Sequence, residues 1–131
     1  MRVILSFLTV AFLALHFIAC QKTGNTPPVI TLFEGSGYIS ADTTLPRHSI
    51  ATFGLKAYKA GVDQLLSSCT IQRSINGAPD SILQQMTLYS QTFTQFYSYT
   101  LGDSGNVEQF RFIIRQDNGL TDTASATITV Q

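Results

Sequence analysis

The stretch FRFIIRQDNGLTDTASATITV, Phe110 to Val130, decides the fold. Phe110, Phe112 and Ile114 alternate with Arg111, Ile113 and Arg115, so one side of this segment is apolar and the other carries two charges. Asp117-Asn118-Gly119 follows, a run that favours a tight turn because these residues hydrogen-bond locally and tolerate positive φ. Beyond it Ala124, Ala126, Ile128 and Val130 alternate with Thr123, Ser125, Thr127 and Thr129. A period of two on both sides of a turn predicts an antiparallel hairpin with one buried face and one solvated face.

Working towards the N-terminus, the same period recurs. Phe93, Tyr97, Tyr99 and Leu101 share one side of Ser90–Leu101, with Phe96 pointing away. Asn76-Gly77 is a hairpin signal, since both residues accept the positive φ of a primed turn. Leu65–Ile75 precedes it, with Cys69 and Ile71 on one face, and a partner strand returns from Ser81, with Ile82, Met86 and Leu88 sharing a face that Gln84 interrupts. Ala51, Phe53, Leu55 and Ala57 align in Ile50–Tyr58, and VITLFE (Val29–Glu34) forms a short first strand. GSGYISADTTLPRHS reads as a loop or an irregular edge piece. No sustained helical period occurs after Cys20. The expectation is an all-β fold, an immunoglobulin-like β-sandwich of about seven antiparallel strands in about a hundred residues. The absence of Trp removes the Cys-Trp-Cys set of antibody domains without touching the architecture.

The segment Phe110–Val130, with its D-x-G turn, its LTDTA and its alternating Thr and Val, resembles the last two strands of PKD-like and related bacterial Ig-like domains. The resemblance implies an extracytoplasmic binding, spacer or adhesion module and brings no catalytic residue with it.

The N-terminal segment is of another kind. Arg2 precedes the apolar run Val3–Ala19. A bilayer span takes about 20 apolar residues, whereas a secretory signal takes fewer and ends on a small residue. Ala19 is that residue and Cys20 follows it. An uncleaved anchor is the other reading of this length. Phe17-Ile18-Ala19-Cys20 resembles the lipobox of a bacterial lipoprotein signal peptide. That resemblance implies cleavage between Ala19 and Cys20, a diacylglycerol on the Cys20 thiol, and a place in the cell envelope, with the bacterial outer membrane expected, on its periplasmic or its surface face. Lipid anchoring at about 0.8 kcal/mol per buried methylene holds firmly once two chains are present. QKTGNTPP then serves as a short polar tether. The expected organisation is residues 1–19 as signal peptide, 20–28 as lipidated N-terminus and tether, and 29–131 as the sandwich.

Charge excludes some partners. Eight Lys+Arg balance eight Asp+Glu, so no basic field attracts nucleic acid. Cys69 stands alone once Cys20 carries lipid and is expected as a buried thiol. His48, in LPRHSI, has no partner singled out for a Ser-His-Asp site, and no G-x-S-x-G elbow is present. Asp117, Asn118 and Asp122 can offer oxygens to calcium, but a calcium loop spaces more ligands more closely. No metal, cofactor or catalytic residue is assigned. The expected partners are the bilayer through Cys20 and an envelope protein or glycan. Arg111, Ile113 and Arg115, on the outer face of one strand, are the candidate partner contact. The reading is a non-catalytic binding or spacer module, with a structural subunit of a larger envelope complex or a small hydrolase as alternatives.

Overall fold

The computed structural model describes residues 26–131. Eight strands make up the fold: β1 (Val29–Leu32), β2 (Thr43–Leu45), β3 (Ile50–Tyr58), β4 (Leu66–Ile75), β5 (Ser81–Ser90), β6 (Thr92–Thr100), β7 (Val107–Gln116) and β8 (Thr121–Val130). They form a three-stranded sheet in the order β1-β3-β6 and a five-stranded sheet in the order β2-β8-β7-β4-β5. No helix occurs among the described residues, and the two sheets enclose one core. The all-β sandwich expected from the alternation is the fold observed.

The inward residues are those the period of two selects. Ala51, Phe53, Leu55 and Ala57 of β3 are fully buried, as are Phe110, Phe112 and Ile114 of β7. Phe53 bridges the layers, with ring centroids 5.0 Å from Phe110 and 4.9 Å from Phe112. Tyr97 and Tyr99 of β6 meet Phe112 and Phe110 edge-on at 6.5 and 5.5 Å. Offset and edge-on rings gain about 0.5–1.5 kcal/mol per pair beyond their burial. Cys69 lies in this core at 0% exposure. Ala126, Ile128 and Val130 complete it from β8, with Ala124 partly covered.

The turn chemistry matches too. Asn76 and Gly77 have φ of 52° and 76°, and the Ala78 N–H closes the turn on the Ile75 carbonyl at 2.9 Å. This is the double positive φ that selects Asn-Gly.

Three expectations need correcting. There are eight strands, because Thr43–Leu45, inside the segment expected to be a loop or an edge piece, is β2. The sandwich is not wholly antiparallel, since β2 runs parallel to β8, Thr43 opposite Ile128 and Leu45 opposite Val130. Ile82 does not share the inward face with Met86 and Leu88; it is 60% exposed, and Leu83 packs on the core instead. A register shift between Ile71 and Gln72 of β4 sets Gln84 and Ile82 of β5 opposite adjacent residues. The extra residue of this bulge, Leu83, breaks the alternation.

Candidate functional site

Polar residues close both ends of the core. β7 carries its inward alternation past the apolar residues to Glu108 at one end and Gln116 at the other, each 0% exposed. Glu108 Oε1 accepts the Gly102 N–H at 2.8 Å and Oε2 lies 3.3 Å from Arg73 Nη1. Arg73 Nη1 also donates to the Tyr99 hydroxyl, and its guanidinium carbon stands 4.6 Å from the Tyr99 ring centroid. Gln116 Oε1 accepts the Ala60 N–H at 2.5 Å, and its Nε2 donates to the Thr26 carbonyl at 3.3 Å. Gln116 thereby ties the segment that leads into β1 to the sandwich. Sequence reading passed over both residues, although extending the period by one step at each end of Phe110–Ile114 finds them.

The second feature lies outside the core. On the outer face of the three-stranded sheet, Phe96 is opposite Gly54. The chain leaving β1 bonds Phe33 N–H to the Gly54 carbonyl at 2.8 Å, loops out, and returns with Ile39 N–H on the Thr52 carbonyl at 2.8 Å. This path lays Phe33 on Gly54: a Cβ there would stand 2.6 Å from Phe33 Cδ2. A glycine inside a strand often marks such an approach. Phe33 meets Phe96 edge-on at 5.7 Å, and Tyr38 stacks on Phe96 at 5.5 Å. Tyr38 and Phe96 nonetheless stay 37% and 53% exposed. Thr31, Thr52, Thr94, Ser98 and Lys56 share this face, and beside Tyr38 a shallow hollow of about 230 Å³ is lined by Tyr38–Thr43.

The residues singled out from sequence fall as follows. Arg111, Ile113 and Arg115 do share the outer face of β7, with Ile113 half-buried between Thr70 and Thr123. Arg111 pairs with Asp80 and also donates to Gln109 Oε1 at 2.7 Å, while Arg115 is exposed. Asp117 Oδ2 accepts Leu65 N–H at 3.2 Å, Asp122 Oδ2 accepts Ile30 N–H at 3.0 Å, and Asn118 Oδ1 accepts Leu120 N–H at 3.0 Å. These oxygens join segments of backbone rather than converge on one point. His48 lies 3.6 Å from Asp103, both well exposed, while the neighbouring Ser49 hydroxyl donates to the Pro46 carbonyl. Burial pushes the Cys69 thiol up to about 11, which keeps it protonated and poorly nucleophilic at neutral pH. Burial, then the neighbouring Tyr99, raises the Tyr97 phenol. Ala19 and Cys20 lie outside the described residues. No protein-family model matches the chain, and none of the curated proteins matches it.

Proposed function

We propose that this chain is a lipid-anchored cell-envelope protein whose sandwich, of immunoglobulin-like type, binds a neutral glycan without chemical turnover. The observation that carries the binding reading is the half-exposed triplet Phe33, Tyr38 and Phe96 on a sheet face otherwise rich in hydroxyls. Aromatic faces next to a few placed polar groups suit a ligand with apolar ring faces and hydroxyl edges. The Ig-like reading draws on the strand order: a narrow sheet β1-β3-β6 over a wider one, with β1 and β2 dividing one edge segment between the two sheets. The lipid anchor rests on Arg2, Val3–Ala19 and Cys20.

Two experiments test this. Intact-mass analysis of the protein from its own cells is expected to give a mature chain beginning at an acylated Cys20; a chain that still starts at Met1 without acyl groups sinks the anchor. Co-sedimentation of the full chain with purified cell-wall polysaccharide is expected to weaken at least tenfold in Phe96→Ala, about 1.4 kcal/mol, with the far-ultraviolet dichroism of the folded sandwich unchanged. Equal binding by the variant sinks the glycan reading. The alternative, a structural subunit of a larger envelope complex, draws on Ile113 in the threonine-lined outer face of β7. It expects one co-purifying protein that Ile113→Lys releases.

A further inference from the structure

Among the described residues, β6 lies at an edge that differs from every other edge of the sandwich. β1 and β2, at other edges, have only four and three residues. β5 is long, but its register against β4 shifts twice, between Leu66 and Ser68 and between Ile71 and Gln72. Short strands and bulges are the usual means of blunting an edge. β6 has nine residues and pairs with β3 from Thr92 to Thr100 without a shift. It contains no Pro, no Gly and no charged residue, and the whole stretch Ser81–Thr100 is uncharged.

The ladder bonds at its two ends fix which groups face outward. Lys59 N–H donates to the Gln91 carbonyl and Leu101 N–H to the Ser49 carbonyl, each at 2.9 Å. In an antiparallel ladder hydrogen-bonded pairs recur at every second residue. Phe93, Gln95, Tyr97 and Tyr99 therefore spend their backbone groups on β3, while Thr92, Thr94, Phe96, Ser98 and Thr100 aim theirs off the sheet. Two of the outward carbonyls are held by neighbouring side chains: Ser90 Oγ donates to that of Thr92 at 2.8 Å and Gln95 Nε2 to that of Phe96 at 3.0 Å. Among the described residues, the outward groups of Thr94 and Ser98 have no such substitute.

A floor lies beneath this edge. Gln91 alone separates β5 from β6, yet the two strands belong to different sheets. The inward rings of β6 rest on β7 residues and on Arg73 of β4, so β5 reaches sideways past β6. Leu83, Met86 and Leu88 of β5 touch the core and remain only partly covered. The narrow sheet stops one strand short of covering them.

We propose that β6 and this β5 shelf form an acceptor groove for an extended segment of another polypeptide, which adds to the narrow sheet as a fourth strand. The segment is uncharged, about seven to nine residues long to match β6, and apolar at alternate positions so that those side chains cover Leu83, Met86 and Leu88. A charged strand would have to shed water against these residues with no counter-charge in Ser81–Thr100. A second copy is not the occupant: its β6 arrives with its own β5 beneath it, and the two β5 shelves would contend for the same space.

β6 itself supplies a probe. Read against its own reverse, its sequence pairs Thr92 with Thr100, Phe93 with Tyr99 and Thr94 with Ser98, combinations favoured across antiparallel strands, and sets Gln95 opposite Tyr97. A synthetic peptide of the Thr92–Thr100 sequence, carrying two lysines at each end for solubility, is titrated into the full chain, and amide exchange is followed by NMR. The expected result is saturable binding that slows the Thr94 and Ser98 amides at least tenfold and leaves that of Tyr97 unchanged. Thr94→Pro removes an outward N–H without touching the β3 ladder and is expected to abolish binding. Should that variant fail to fold, Met86→Lys, which places a charge on the shelf, is expected to abolish it instead. Unchanged exchange at saturating peptide, undiminished binding by the folded variant, or a free protein already dimeric with both amides protected would each overturn the proposal.

Discussion

The buried pair Arg73–Glu108 offers the sharpest test of how this sandwich is held together. The Glu108 side chain is fully buried and that of Arg73 is 18% exposed. Removing one partner of a buried pair leaves the other charge uncompensated, at a cost of about 3–5 kcal/mol. Glu108→Gln keeps an oxygen for the Gly102 N–H but turns an amide towards the guanidinium, so about 3 kcal/mol is expected. Arg73→Met strands a carboxylate whose other partner is Gly102 N–H at 2.8 Å, and about 3–4 kcal/mol is expected. The double variant contains no buried charge and should lose far less than the sum, giving a coupling of about 2–4 kcal/mol. For a domain of about 100 residues, 1 kcal/mol moves Tm by about 4–8 °C, so each single variant melts at least about 12 °C early. Urea titration followed by circular dichroism measures all four corners of the cycle. The exposed pair Arg111–Asp80, with side chains 38% and 25% exposed, serves as a control. Its coupling should stay under about 1 kcal/mol and shrink in 0.5 M salt, whereas the buried coupling persists. If Arg73→Met and Glu108→Gln add to within about 0.5 kcal/mol, the ionic account of this end of the core is refuted.

Gly54→Ala forces Phe33 off the sheet, because a Cβ would stand 2.6 Å from its Cδ2. A loss of about 1–3 kcal/mol is expected, with near-ultraviolet dichroism of the aromatic triplet changed, and an unaltered spectrum would contradict the packing. Cys69 should resist a thiol reagent at pH 8 in the native protein and react at once in urea, since its thiol is buried and raised to about 11. The same shift fixes a sign: a thiol with a raised folded pKa lends stability that is fully present below about 9, its unfolded value, and is lost as pH rises towards about 11. Cys69→Ala should remove that alkaline fall, and a variant with the same slope would show that other groups cause it. Gln116→Leu strips the Ala60 N–H and the Thr26 carbonyl of their shared partner. Limited proteolysis near Thr26 and Ala60 should then quicken, with global stability down by about 1–3 kcal/mol.

What the sequence discloses of this fold is what depends on neighbours along the chain. The period of two found β3 and β7 because each has one face wholly in the core, and β8 because Ala126, Ile128 and Val130 are buried between exposed or half-buried neighbours. Asn76-Gly77 found its turn because few other residues accept two positive φ values. The reading failed where distant strands decide the outcome. β2 is three residues of Thr-Thr-Leu whose strand character comes from lying beside Ile128–Val130. Ile82 faces out because of how β5 is registered against β4, which no period within β5 encodes. The aromatic triplet draws on Phe33, Tyr38 and Phe96, far apart in sequence. Phe96 was visible as the ring pointing the wrong way, and Gly54, in mid-strand, was the available sign that something lies upon it.

The two polar caps also give the sandwich a direction. Gln116 holds Thr26 at one end of β7, and Glu108 marks the other, where Val130 N–H bonds the Asn106 carbonyl and Gln131 N–H that of Leu45. On the proposed Cys20 anchor, the segment from Cys20 to Thr26 reaches at most about 20 Å, so the Gln116 end stands near the bilayer. A strand as long as β7 spans about 30 Å, which sets the loops carrying His48 and Asp103 at the far end. β6 runs between the two ends, so on an anchored domain standing upright its edge and the Phe96 face would be presented sideways, along the flank. A ligand approaching parallel to the membrane meets both surfaces, and one approaching end-on meets neither. Lengthening the tether with Gly-Ser repeats should therefore leave peptide binding at the β6 edge unchanged both in detergent and on intact vesicles. A rise in affinity with tether length on vesicles alone would show that the membrane obstructs the edge and would refute the sideways placement.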